Sequence, residues 1–186
     1  MISIIIDVGY IDDNLHYGPY ASYWWQEKMD PITKAKILFP IRIKLNTQHI
    51  MNEVRMNCFV DIDEKNRPVF VSSIGQFIES AGDMTSSVNS VYNKILNEKY
   101  PDNKRTTKLN GTNFFGMGDK DQLSKIMADV TFRPFIINEN KFKMLVISAS
   151  SHNGIDPADG YHITFKEQYK RETIIFSQFY EKYKFI

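Results

Sequence analysis

Residues 37–45 carry the strongest constraint on this chain. Ile37, Phe39, Ile41, Ile43 and Leu45 take every second position, with Leu38, Pro40, Arg42 and Lys44 between them. Side chains of a strand point alternately to its two faces, so a period of two places one apolar set against a core and specifies a sheet. Pro40 lacks the amide hydrogen that a ladder needs and belongs at an edge or a bulge. A less regular alternation of Val54, Met56, Cys58, Val60 and Ile62 follows, and then Val69 and Val71 within residues 68–74. The polar stretch Asp63-Glu64-Lys65-Asn66-Arg67 between these two has the length of a hairpin loop. Connections this short leave no room for repeated βαβ crossovers, so the strands are expected to pair antiparallel.

Helical spacing is found in two stretches. Val88, Val91, Tyr92, Ile95 and Leu96 form one apolar stripe of a helix over residues 86–99, with Asp83, Thr85 or Ser86 to cap it and Pro101 to stop it. Leu123, Ile126, Met127 and Val130 form the stripe of a shorter helix over 119–129, where Asp119 and Asp121 suit the positive end of the helix dipole. Further strands are expected at 2–8, 132–137, 141–148, 161–165 and 173–179, with Asn138-Glu139-Asn140 as a tight turn. Residues 9–35 read as irregular, apart from a short strand at 20–25. The expected fold is a single α+β domain spanning residues 1–186. It has a mostly antiparallel sheet of five to eight strands and two principal helices.

Charge narrows the function classes. The 23 Lys and Arg against 22 Asp and Glu give a net charge of +1, spread along the chain. A general polyanion binder needs a cationic excess to displace counterions, so no strong nucleic-acid signal is present. No run approaches 18 apolar residues, so no membrane span is expected. The first residues lack the basic flank of a signal peptide. The single cysteine, Cys58, cannot form a disulfide within the chain and sits where a small buried hydrophobe belongs. An intracellular location fits these features.

Few residues suggest chemistry. Neither a phosphate-binding GxxxxGK[ST] loop nor a GxGxxG turn is present. Phe115-Gly116-Met117-Gly118-Asp119 reads as a glycine turn feeding the second helix. His152, Asp156, Asp159 and His162 crowd one short stretch and could hold a divalent metal, or His152 and Asp156 could form an acid–base pair. Under that reading the chain is a metal-dependent hydrolase or nuclease, with Asp7 as a further carboxylate. The Asn-Gly, Asp-Pro and Asp-Gly steps of the same stretch equally suit a plain surface turn. Tyr23, Trp24 and Trp25 form the densest aromatic cluster and are the candidate binding residues. They could stack on a base, a sugar or a peptide, or anchor the core.

The order of phrases resembles the FY-rich (FYRN/FYRC) region of chromatin-associated proteins over residues 17–130. Gly18-Pro19-Tyr20-Ala21-Ser22-Tyr23-Trp24 is similar to the opening phrase of that family's N-terminal half, and Leu38-Phe39-Pro40-Ile41-Arg42-Ile43 to its aromatic-rich strand. Pro68-Val69-Phe70-Val71, Thr85-Ser86-Ser87-Val88 and Gly111-Thr112-Asn113-Phe114-Phe115-Gly116 follow in the order of its C-terminal half. Tyr23-Trp24 stands where the family has an arginine, and residues 131–186 add strands beyond the module. The resemblance implies a nuclear, non-enzymatic protein-interaction module without a cofactor. Tyr20, Tyr23, Trp24, Phe114 and Phe115 would then be its structural aromatics. The other expectation is a structural or assembly protein of a viral or phage particle that self-associates. The two share a protein partner or a second copy as the binding target.

Overall fold

The computed structural model describes residues 2–17, 20–29, 36–51, 54–99, 108–130, 134–139, 142–147, 162–165 and 173–175. In chain order the first elements are β1 (Ile2–Asp7), α1 (Asp13–His16), α2 (Ala21–Trp24), β2 (Trp25–Met29), β3 (Lys36–Pro40), β4 (Asn46–Met51), β5 (Val54–Ile62), β6 (Pro68–Ile74) and β7 (Phe77–Ala81). They are followed by α3 (Met84–Lys99), α4 (Gly111–Phe114), α5 (Lys120–Met127), β8 (Phe135–Glu139), β9 (Phe142–Ile147), β10 (His162–Phe165) and β11 (Thr173–Ile175). The fold is α+β, and all described strand pairs are antiparallel. The chain divides into two compact units, Met1–Tyr10 with Ile41–Ala128, and Ile11–Pro40 with Asp129–Ile186.

The first unit is built on a five-stranded sheet in the order β1-β4-β5-β6-β7. Its centre is the expected hairpin. β5 and β6 are joined through a loop in which Asp63 Oδ1 accepts from the Lys65 and Arg67 amides, both at 2.8 Å. β6 turns into β7 through Gly75 and Gln76, and Gly75 takes the positive φ of 57° that such a two-residue turn favours. One face of the sheet is covered. It presents Thr47 and His49 from β4, Met56, Cys58 and Val60 from β5, and Phe70, Ser72 and Ile74 from β6, all buried. α3 packs on β6 and β7 and contributes buried Met84, Val88, Val91 and Ile95. The Phe115 ring stands edge-on to Phe70 at 5.3 Å between centroids. α5 is capped by Asp119, whose side chain accepts from the Asp121 and Gln122 amides.

Arg42 ties the ends of this unit together. Its guanidinium donates from Nε to the Val8 carbonyl at 3.0 Å, from Nη1 to the Ile126 carbonyl at 3.0 Å, and from Nη2 to the Gly9 carbonyl at 3.1 Å. The last carbonyls of a helix have no partner within it, so a cation there satisfies an orphan acceptor and complements the dipole.

The second unit holds a two-stranded sheet, β2-β3, and a four-stranded sheet in the order β11-β10-β9-β8. The strands beyond residue 130 therefore build their own sheet and do not extend the first. Tyr17, Ala21, Trp25 and Leu38 form a buried cluster, with Ile11 and Val130 packed against it.

Several local expectations are corrected. The alternating stretch 37–45 is not one strand. β3 ends at Pro40, and the buried positions within it are Leu38 and Pro40, the opposite set to the one the alternation predicts. The break falls where the chain passes from the second unit to the first. Beyond it the backbone leaves the ladder, Ile43 bridges to Tyr10, and Lys44 takes a positive φ of 60°. Arg42, placed on the polar side by the pattern, is 2% exposed. Residues 20–25 are a helical turn, α2, running into β2 at Trp25, not a strand. Residues 9–35 contain α1, α2 and β2, so this segment is not irregular throughout; the Asp12 side chain caps α1 by accepting from the Leu15 amide at 3.0 Å. β4 and β7 were not expected.

Candidate interaction surface

The register of the five-stranded sheet defines a second face, opposite the helices. Pairing aligns Ile4 with Gln48, Gln48 with Asn57, Asn57 with Ser73, and Ser73 with Ile78. These five residues form one row across all five strands. Thr47, His49, Met56 and Cys58, their neighbours along the strands, point to the covered face, so the row points away from it. The row is polar in its middle, where Gln48 Nε2 donates to Asn57 Oδ1 at 3.0 Å, and apolar at both ends.

The ends are open to solvent. Ile4 is 42% exposed and Ile78 66%. Ile50, two residues beyond Gln48 on the same face, is also 42% exposed. A bulge in β1 between Ile5 and Asp7 leaves Ile6 exposed at the same edge. The next row holds Asn46, Phe59, Val71 and Ser80. Lys44 Nζ lies over the Phe59 ring at 5.1 Å and donates to Asp61 at 2.9 Å. That contact and the Ile62 amide hold the Asp61 carboxyl below its usual range despite some burial. The face is therefore a mixed surface: exposed isoleucines toward its margins, a half-buried Phe59–Val71 pair, the exposed Arg55 opposite Ile50, and the Lys44–Asp61 ion pair. Exposed single hydrophobics are ordinary, but four exposed isoleucines toward the margins of one sheet, Ile4, Ile6 and Ile50 at one edge and Ile78 at the other, make it the candidate contact surface.

The residues singled out from the sequence lie elsewhere. Trp24 is fully buried and Trp25 is 3% exposed, so both indoles are core anchors of the second unit. Trp25 Nε1 donates to the His16 carbonyl at 2.7 Å, and the Trp24 and Trp25 rings flank the buried His16 imidazole at 5.4 and 6.1 Å. A ring held on all sides has no face left for a ligand. Tyr23 is half-buried, and its amide bonds back to the Tyr20 carbonyl within the turn. Asp7, the carboxylate grouped with the His-rich stretch, accepts the Gly9 amide at 2.8 Å and so serves a turn. His152, Asp156 and Asp159 lie outside the described residues. His162 begins β10, paired with Ile147 and Ile175. Among the described residues no group of three or more His, Cys, Asp or Glu side chains is placed to hold a metal ion.

Two buried polar features on the covered face escaped the sequence pattern. Cys58 Sγ lies 3.6 Å from Ser72 Oγ, which lies 3.0 Å from Ser87 Oγ, which donates to the Met84 carbonyl at 3.1 Å. Burial pushes the Cys58 thiol up to about 12, so it is an un-ionised member of this chain and not a nucleophile. Thr47 Oγ1 donates to the Phe114 carbonyl at 2.6 Å and Ser3 Oγ to the same atom at 3.2 Å, fixing α4 on the sheet. Neither a covered strand with polar buried positions nor a serine pair between strand and helix leaves an apolar period to read.

Among the described residues no helix is long and apolar enough to cross a membrane. In comparisons with known proteins the chain matches no family model, no curated protein and no solved structure.

Proposed function

We propose that the chain is a non-enzymatic protein-interaction module whose contact surface is the open face of the five-stranded sheet. The observation that carries this reading is the row Ile4–Gln48–Asn57–Ser73–Ile78, continuous across five strands and ending at each edge in an exposed isoleucine. The exposed isoleucines offer a partner apolar area to bury, and the amides between them offer hydrogen bonds. Phe114 and Phe115 are buried at 2% and 0%, which fits the structural role that the FY-rich resemblance gives them. On that resemblance the partner is a protein of a chromatin complex and the location is nuclear.

The test uses the full chain and the variant Ile4→Lys with Ile78→Lys. Both positions are exposed, so the variant is expected to melt within a few degrees of the parent, as surface substitutions usually do. A protein retained by the parent and lost by the variant supports the reading, and so does self-association seen by light scattering and abolished in the variant. A parent that stays monomeric and retains no protein, or a partner held equally by both chains, overturns it.

A further inference from the structure

His49 lies on the covered face of β4 and is 3% exposed. Its ring is 4.1 Å from that of Phe114 in α4, centroid to centroid. Among the described residues neither Nδ1 nor Nε2 has a hydrogen-bond partner. A buried imidazole normally donates one N–H and accepts at the other nitrogen, and leaving both unmade costs free energy. A structural ring at this position would be better filled by Phe or Leu. Imidazole is the side chain that gains a charge just below neutral pH.

We infer that His49 is a proton-sensitive latch that holds α4 on the sheet at neutral pH and releases it on acidification. The neutral ring packs against Phe114, while a cation there would be buried without an acceptor. Among the described residues the elements around it offer no counter-charge. Ser3 lies opposite on β1 and Met56 opposite on β5. α4 carries no ionisable side chain. Cys58, the next covered residue on β5, stays a thiol. Glu79 of β7 is engaged by Lys94 of α3. Arg55 and Asp61 of β5 alternate with the buried residues and sit on the open face, while Lys120, Asp121 and Lys125 of α5 are exposed. Burial holds the imidazole below its usual range, and the positive amino terminus acts in the same sense. What protonation releases is a short element whose anchors to the sheet include two hydroxyl contacts on one carbonyl. Freed, it would uncover Thr47 and the buried Phe115.

The sign follows from linkage. The open state protonates near the ordinary histidine value and the closed state only below it. The opening equilibrium should therefore rise up to about tenfold for each pH unit below about 6.5, until the closed form also protonates. Hydrogen exchange of the whole chain, corrected for the intrinsic pH dependence, reads this at the amides of 111–117. The parent should lose protection by up to about tenfold between pH 6.5 and 5.5, and His49→Gln should show no such slope. Equal slopes in both chains overturn the inference. Should His49→Gln fail to fold, histidine-selective NMR of the parent decides, with His49 assigned by its contact to the Phe114 ring. A titration midpoint below 6.5 supports the latch, and one at or above it refutes it.

Discussion

Replacing Arg42 by Met keeps the side-chain length and removes every donor. Arg42 is 2% exposed and bonds the carbonyls of Val8, Gly9 and Ile126. A hydrogen bond from a charged donor contributes about 1.5–3 kcal/mol, less where water can replace it. Val8 and Gly9 are half-buried, so about 1 kcal/mol each is a fair loss, while the Ile126 contact is buried and should cost about 2. Removing the guanidinium also removes the cost of burying its charge, which offsets part of that sum. The net expectation is a loss of about 2–4 kcal/mol. In urea, followed by far-ultraviolet circular dichroism at pH 7, this lowers the midpoint by roughly 1–2 M at an ordinary slope. Arg42→Lys should recover little of it, since one ammonium cannot reach three carbonyls held by a planar fork. A Met variant within about 0.5 kcal/mol of the parent would show that these bonds merely replace equivalent bonds to water, and the assignment of Arg42 as a clamp would be wrong.

Other outcomes follow from single residues. Gly9 has a φ of 68°, and a Cβ there would meet the Ile43 carbonyl oxygen, so Gly9→Ala should destabilise by about 2–4 kcal/mol and lower the melting temperature. Cys58 should resist a thiol reagent such as Ellman's at pH 8 in the native chain and react at once in urea, because its thiol is buried and un-ionised. Fast labelling of the native chain would contradict the buried chain through Ser72 and Ser87. Asp83 precedes α3 and accepts the Ser86 amide at 2.8 Å. Burial raises its carboxyl, but hydrogen bonds from Ser86 and Thr85 outweigh that and hold it below the usual range. Asp83→Ala should therefore cost about 1 kcal/mol near neutrality. The difference between parent and variant should shrink as pH falls below the ordinary carboxyl range and through the lowered value. A difference independent of pH would argue against the cap.

What could be read from the residues was what repeats. β5 and β6 occupy the stretches whose alternation announced them, and α3 carries the predicted stripe of Val88, Val91 and Ile95, beginning two residues earlier than the spacing suggested. β4 was illegible because its buried positions are Thr47 and His49, polar side chains that satisfy or serve α4 instead of a hydrocarbon core. The stretch 37–45 misled because its two halves belong to different units, and a period of two persists across a break that only tertiary structure reveals. The open face was equally hidden. Ile4, Ile50 and Ile78 stand far apart along the chain, and only the register shows that they share one face. Tyr23-Trp24-Trp25 drew attention as a cluster, yet large rings adjacent in sequence are more often packed than displayed, and Trp24 and Trp25 are packed.

The first unit takes β1 from one side of the Ile11–Pro40 excursion and the rest of its sheet from the other. During synthesis β1 is made well before β4, the strand it pairs with. At about 5–20 residues per second, that apolar segment waits several seconds unpaired. Chaperone access to Ile2-Ser3-Ile4-Ile5-Ile6 in that interval would govern yield in a cell. For the same reason neither unit can be excised as one continuous fragment. Transposing residues 1–10 to stand directly ahead of residue 41 would shorten the wait to the few residues left between β1 and β4.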